Sequence, residues 1–284
     1  MASKCNLRSI SLPSRPHPST LRIEEELNRI KTGEGSSAST SGSICLGLSG
    51  LEELYHCMDD LLNMASTQQV LSKHQQEKCV DEFLDGSVRL LDVCGIARDI
   101  VFQVKEQIHA LQSALRRRKG DSSIEKSIVN YTSFRKKMKK EAKKLIVTLK
   151  QMDNKIGAST VLDQDHHFLA VIRVLRELNS MNISIFQSLF SFLAAPVPGK
   201  QTTWSLVSKL MHKGTVACEQ ENVNEFETVD AVLCRRSSNV EKMQTAQKRL
   251  EALESSIQGL EDGLESLFRR LVKARASLLN ILSQ

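Results

Sequence analysis

Proline placement most constrains what this chain can fold into. Its five prolines are Pro13, Pro16 and Pro18 near the start and Pro196 and Pro198 further on; residues 19–195 and 199–284 contain none. Proline fixes φ and removes a backbone donor, so it ends helices and populates turns. A β-rich chain of 284 residues needs many such turns, and an aromatic content of 4% would not fill a sandwich core. Long proline-free runs permit long helices, and the spacing of apolar residues predicts where these lie.

Ile23, Leu27 and Ile30 define a short helix over about 20–31, followed by a Ser/Gly linker that closes at Ser43. Leu51, Leu54, Tyr55, Met58, Leu61 and Leu62 form the stripe of the next helix, and Ser66-Thr67-Gln68-Gln69 reads as a capping box. From Val80 to Leu115 the apolar or small positions step by three and four without slipping. After Lys119-Gly120-Asp121 a second capping pattern at Ser122 opens another such seam, Ile124 to Ile156, broken only by Arg135. Asp163–Ala195 is the most apolar stretch and is expected at the centre, ending at Pro196-Val197-Pro198-Gly199. Thr203–Lys213, anchored by Trp204, reads as a short helix. A C-terminal helical region from about Glu219, interrupted near Arg235–Ser238, carries the seam Leu250 to Ile281. The flanks of that seam hold Ser256, Gly263, Phe268 and Leu282. Such a wide apolar face favours packing in its own bundle, with self-association through the C-terminal heptads as the alternative.

The fold class expected is all-α: an elongated multi-helix bundle with long heptad-patterned helices and a disordered N-terminal arm. Residues 1–43 form the arm and 44–284 a single helical bundle domain with a Pro-rich break at 196–199.

Charge is concentrated. The net charge is +6, yet Arg116–Lys150 alone holds 13 Lys/Arg against 3 Asp/Glu, and the remainder 26 against 30. Arg116, Arg117 and Arg118 open this segment. Lys136, Lys137, Lys139, Lys140, Lys143 and Lys144 fall opposite the apolar seam of their helix, so they form a ridge on its outer face. Three readings follow: a solvated face, with or without acidic residues of a neighbouring helix beside it, a docking surface for an anionic membrane or acidic protein, or a nucleic-acid surface. Only Tyr131 and Phe134 lie nearby for base stacking, and no nucleic-acid module is present, which argues against the last.

The N-terminal tail carries Arg8-Ser9-Ile10-Ser11-Leu12-Pro13, which fits the pattern that 14-3-3 proteins bind once Ser11 is phosphorylated. Arg235-Arg236-Ser237-Ser238 fits a basophilic kinase site at Ser238. Seven cysteines without a CxxC pair read as reduced intracellular thiols. A cytoplasmic location is expected, with organelle targeting by the acid-free first 23 residues and the nucleus left open.

Several strings also resemble a known family: Ser9–Ser19, Leu91-Asp92-Val93-Cys94-Gly95, Ala114–Gly120 and Tyr131–Lys140. They are similar to a plant-specific family of helical proteins grouped with the BYPASS proteins of root and shoot development. The resemblance covers nearly the whole chain. It implies a plant source, an all-helical fold and a developmental role, and it brings no catalytic residues.

No catalytic constellation emerges from the residues themselves. Asp163 and His167 stand at i, i+4, but no further ligand cluster supports a metal. Phosphate-loop and dinucleotide motifs are absent, and Gly47-Leu48-Ser49-Gly50 lacks nucleophile-elbow spacing. The expectation is a non-enzymatic interaction or scaffold protein without cofactor, or else a peripheral binder of anionic membranes through the lysine ridge.

Overall fold

The computed structural model describes residues 18–33, 40–117, 121–156, 165–196, 224–234 and 240–283. Among these residues the regular elements are all helices: α1 (Pro18–Gly33), α2 (Ser41–Leu62), α3 (Ala65–Lys73), α4 (Lys78–Arg116), α5 (Asp121–Ile156), α6 (His166–Leu193), α7 (Glu225–Leu233) and α8 (Val240–Leu282). With 39 and 43 residues, α4 and α8 extend about 58 and 64 Å at 1.5 Å per residue. The all-α elongated bundle expected from the seams is therefore what forms.

The seam of α8 is the spine. Leu250, Leu253, Ile257, Leu260, Leu264 and Leu267 are fully buried, and the flanks of α8 pack on α4 and α2 of the same chain. On the α4 flank Arg98 pairs with Glu265, Lys105 with Gln258 and Glu261, and His109 and Gln112 with Glu254. Numbers rise on α4 as they fall on α8, so the two run antiparallel. On the other flank Gly263 faces Leu48, while Arg270 and Lys273 reach Glu52 and Asp59, so α2 runs parallel to α8. A Cβ at residue 263 would sit 2.9 Å from Leu48 Cδ1, which is why this flank carries glycine.

α6 is the most buried helix, as expected. Its Asn182 donates to Tyr55 Oη at 3.1 Å, inside the bundle. Asp165 caps its first turn, accepting from the backbone N–H of His167 and Phe168 at 3.0 and 3.2 Å. These two bonds, the Phe168 one foremost, hold the Asp165 carboxyl below the usual carboxylate range. The helix stops at Leu193, ahead of Pro196. α5 lies at the edge, packed antiparallel on both α4 and α6.

Three local expectations need correction. The helix placed in the N-terminal arm is docked on the bundle: Ile23, Leu27 and Ile30 are 2%, 3% and 8% exposed, because Gly50 of α2 lets Ile30 pack directly on the backbone. The linker expected to run to Ser43 ends at Thr40, whose hydroxyl accepts from Ser43 N–H at 3.3 Å and starts α2 at Ser41. Ser66 does not cap α3. The helix begins after Met64 without a side-chain cap, and Thr67 turns inward, fully buried, 3.3 Å from His167 Nε2. The expected helix at Thr203–Lys213 lies outside the described residues.

Candidate functional site: the basic face of α5 and the arginine behind it

The inner face of α5 is built from Tyr131, Met138, Ala142, Leu149 and Met152, each 5% exposed or less. Their three- and four-residue steps orient the whole helix. The opposite arc is where the lysines emerge. Lys136, Lys137, Lys140, Lys143, Lys144 and Lys150 are exposed, and Lys139 is half-buried at the margin. Val147, 55% exposed, falls on the midline of this arc. Arg116 and Arg117 are exposed at the C-terminus of α4, and Arg118 lies outside the described residues.

These lysines differ from most cations of the bundle. Arg98, Lys105, Arg270 and Lys273 each meet a carboxylate of a neighbouring helix. Among the described residues, no carboxylate lies within ion-pair distance of Lys136, Lys137, Lys139, Lys140, Lys143, Lys144 or Lys150. A solvated face here is therefore one without ion pairs to a neighbouring helix among the described residues. Beside the ridge, an open groove of about 480 Å³ lies between α4 and α5, lined by Gln107, Ser127, Asn130, Ser133, Phe134 and Lys137 among others.

Directly behind the ridge is Arg135, the residue that breaks the seam of α5. It is fully buried. Its Nε and Nη2 donate to Asp230 Oδ2 of α7 at 3.2 and 3.1 Å. Nη1 donates to the Leu193 carbonyl at 3.0 Å and Nη2 to the Ala195 carbonyl at 3.4 Å. The guanidinium carbon lies 4.1 Å from the ring centroid of Phe226. A helix C-terminus leaves carbonyls without intrahelical partners, and here a buried fork satisfies those at the end of α6. One side chain thereby ties together α5, the end of α6 and α7. Burial pushes the Asp230 carboxyl up, against the pull of the Arg135 guanidinium, and burial likewise raises the Tyr131 phenol.

Cys57, Cys79 and Cys94 sit in the core as free thiols, and burial pushes the Cys94 thiol up to about 12. His167 contacts Thr67, while Asp163, its candidate metal partner, is outside the described residues. Among those residues no group of three His, Cys, Asp or Glu is placed to hold a metal, and no helix is long and apolar enough to cross a membrane. The tail sites Arg8, Ser9, Ser11 and Pro13, and Ser238, also lie outside them.

A family model described as Protein BPS1 matches residues 47–281. The chain belongs to the BPS1 family. Membership links it to plant development. The matched span runs from the first turns of α2 to the last turn of α8, so the lysine face, Arg135 and Asp230 all lie within the BPS1 region. No curated protein and no solved structure matches this BPS1-family chain.

Proposed function

We propose that this BPS1-family protein is a non-enzymatic helical interaction protein of plant development, docking through the lysine face of α5 onto a partner that carries negative charge. One observation supports this reading above the others. The bundle neutralises cations along its helix contacts yet leaves a continuous arc of exposed lysines unpaired among the described residues. Like charges at i, i+4, such as Lys136/Lys140, Lys139/Lys143 and Lys140/Lys144, each destabilise a helix by about 0.2–0.5 kcal/mol, and an anionic partner relieves that repulsion. Two classes of partner fit: an acidic protein surface and an anionic membrane. The N-terminal arm supplies a second docking element, phosphorylated Ser11 for a 14-3-3 protein. Its test is the binding of a Ser11 phosphopeptide against its unphosphorylated form, and equal affinities would remove it.

The docking face is tested by retention on immobilised polyglutamate. Charge reversal at Lys136, Lys137, Lys140 and Lys144 takes the net charge from +6 to −2. Reversal at Lys73, Arg89, Lys248 and Arg249, all exposed elsewhere, gives the same −2. The first variant should lose retention and the second keep most of it, with helical circular dichroism unchanged in both. Equal loss in the two would show that only net charge matters and would remove the face.

A further inference from the structure

We infer that the partner of the α5 face is an anionic lipid bilayer, an inference that rests on the docking reading above. The chemistry of the face favours a diffuse anionic plane over a set of carboxylates on a protein. Its exposed cations from Lys136 to Lys150 are all lysine, while the one arginine of this stretch points inward. Arginine is the side chain suited to planar, bidentate recognition of individual carboxylates, whereas lysine is a compact point charge on a flexible stem. An all-lysine arc attracts a charged plane without demanding fixed geometry from it.

Shape and apolar content agree with that assignment. From Lys136 to Lys150 the face covers about 21 Å along a helix at the bundle edge, at 1.5 Å per residue. A long helix face of this kind can lie along a surface with its cations engaged together. Val147, 55% exposed, stands on the midline among them, and Val129, 60% exposed, continues the same line toward the start of α5. Lysine stems reach outward around such apolar groups, so the charges meet headgroups while the valines meet the boundary beneath. No helix of the described residues is a span, so the binding inferred is peripheral.

The experiment is flotation of the full chain with phosphatidylcholine vesicles and with phosphatidylcholine vesicles containing phosphatidylserine, at about 0.15 M salt, where the Debye length is about 8 Å. The protein should float only with the anionic vesicles, and less as salt rises. Replacing Lys136, Lys140, Lys143 and Lys144 by Gln should lower partitioning several-hundred-fold, equivalent to about 4 kcal/mol at about 1 kcal/mol per lysine near the surface. Flotation with neutral vesicles alike, or anionic binding that survives the four replacements, overturns the inference. Failure to float while wild type is still retained on polyglutamate, and the lysine variant is not, overturns the bilayer and leaves the docking face standing. Failure in both assays removes the face itself.

Discussion

Breaking the Arg135–Asp230 pair should be among the most damaging single changes this protein can suffer. Arg135 is 0% and Asp230 3% exposed, so neither charge has water to fall back on. Arg135→Ala strands the Asp230 carboxylate, and it also removes the donors that satisfy the Leu193 and Ala195 carbonyls. Removing one partner of a buried ion pair costs about 3–5 kcal/mol. At about 2–4 °C per kcal/mol for domains of 150–250 residues, Tm falls by roughly 6–20 °C. Asp230→Leu should cost a similar amount, because the guanidinium keeps its two carbonyls but loses its counter-ion. The double variant Arg135→Met/Asp230→Leu removes both charges and keeps the volume filled. It should regain most of the loss and fall short of wild type by about 1–3 kcal/mol for the unpaired carbonyls. Urea unfolding followed by circular dichroism of wild type, Arg135→Met, Asp230→Leu and the double variant closes the cycle and gives the coupling energy. Additive single losses, or an Arg135→Ala cost below about 1 kcal/mol, would refute the account of Arg135 as the tie between α5, α6 and α7.

Other consequences follow from the same geometry. Asp165→Ala should cost about 1 kcal/mol at neutral pH through loss of the α6 cap. Because the folded carboxyl is held below its ordinary value of 3.8, the contribution is present above that pH and lost as pH falls through the folded value, so the wild-type and variant stability curves should converge in acid. Gly50→Leu should cost about 1–3 kcal/mol by overpacking, since even a Cβ there would lie 2.7 Å from Ile30 Cγ1; faster amide exchange confined to α1 would locate the damage. In native protein Cys94 should resist maleimide until unfolding, while Cys234, exposed just after α7, reacts well ahead of it even though burial and Asp230 push its thiol up; peptide mapping distinguishes them.

What could be read from the chain and what could not divide along physical lines. The long seams were legible because helix packing repeats every three or four residues, and each position of the α8 seam from Leu250 to Ile281 is buried as its spacing implies. The lysine arc was legible for the same reason, as the complement of the α5 seam. Arg135 was visible only as an interruption. Its meaning required Asp230, 95 residues further on in the nine-residue helix α7. One signal was present: Phe226, Val229, Asp230 and Leu233 share a helix face, so an acid occupies an apolar position there just as the arginine does in α5. Two charged breaks in two apolar stripes are a pairing hint that neither stripe gives alone. The misread cap at Ser66 has a different cause. The link from α2 to α3 is only Asn63 and Met64, so chain geometry starts α3 before the hydroxyl that local chemistry favours. The docking of α1 depends on Gly50 admitting Ile30, a close approach with no periodic signature.

The buried arginine and the lysine arc are two results of one choice of helix rotation. Turning α5 by one residue, about 100°, would put Lys136 where Arg135 now stands and swing Arg135 by the same angle away from Asp230. Lysine cannot present the fork that serves Asp230 and the Leu193 and Ala195 carbonyls together, and a buried ammonium readily loses its proton, whereas guanidinium keeps its charge. The rotated state therefore leaves Asp230 and the end of α6 unsatisfied, and the Arg135 network holds the lysines outward. The apolar residues of the seam, Met138, Ala142, Leu149 and Met152, favour the same rotation. Those contacts survive in Arg135→Met/Asp230→Leu, so a folded double variant should still present the lysines and still float with anionic vesicles. Loss of flotation with the fold intact would mean that the ion pair, rather than the apolar seam, sets which face α5 shows.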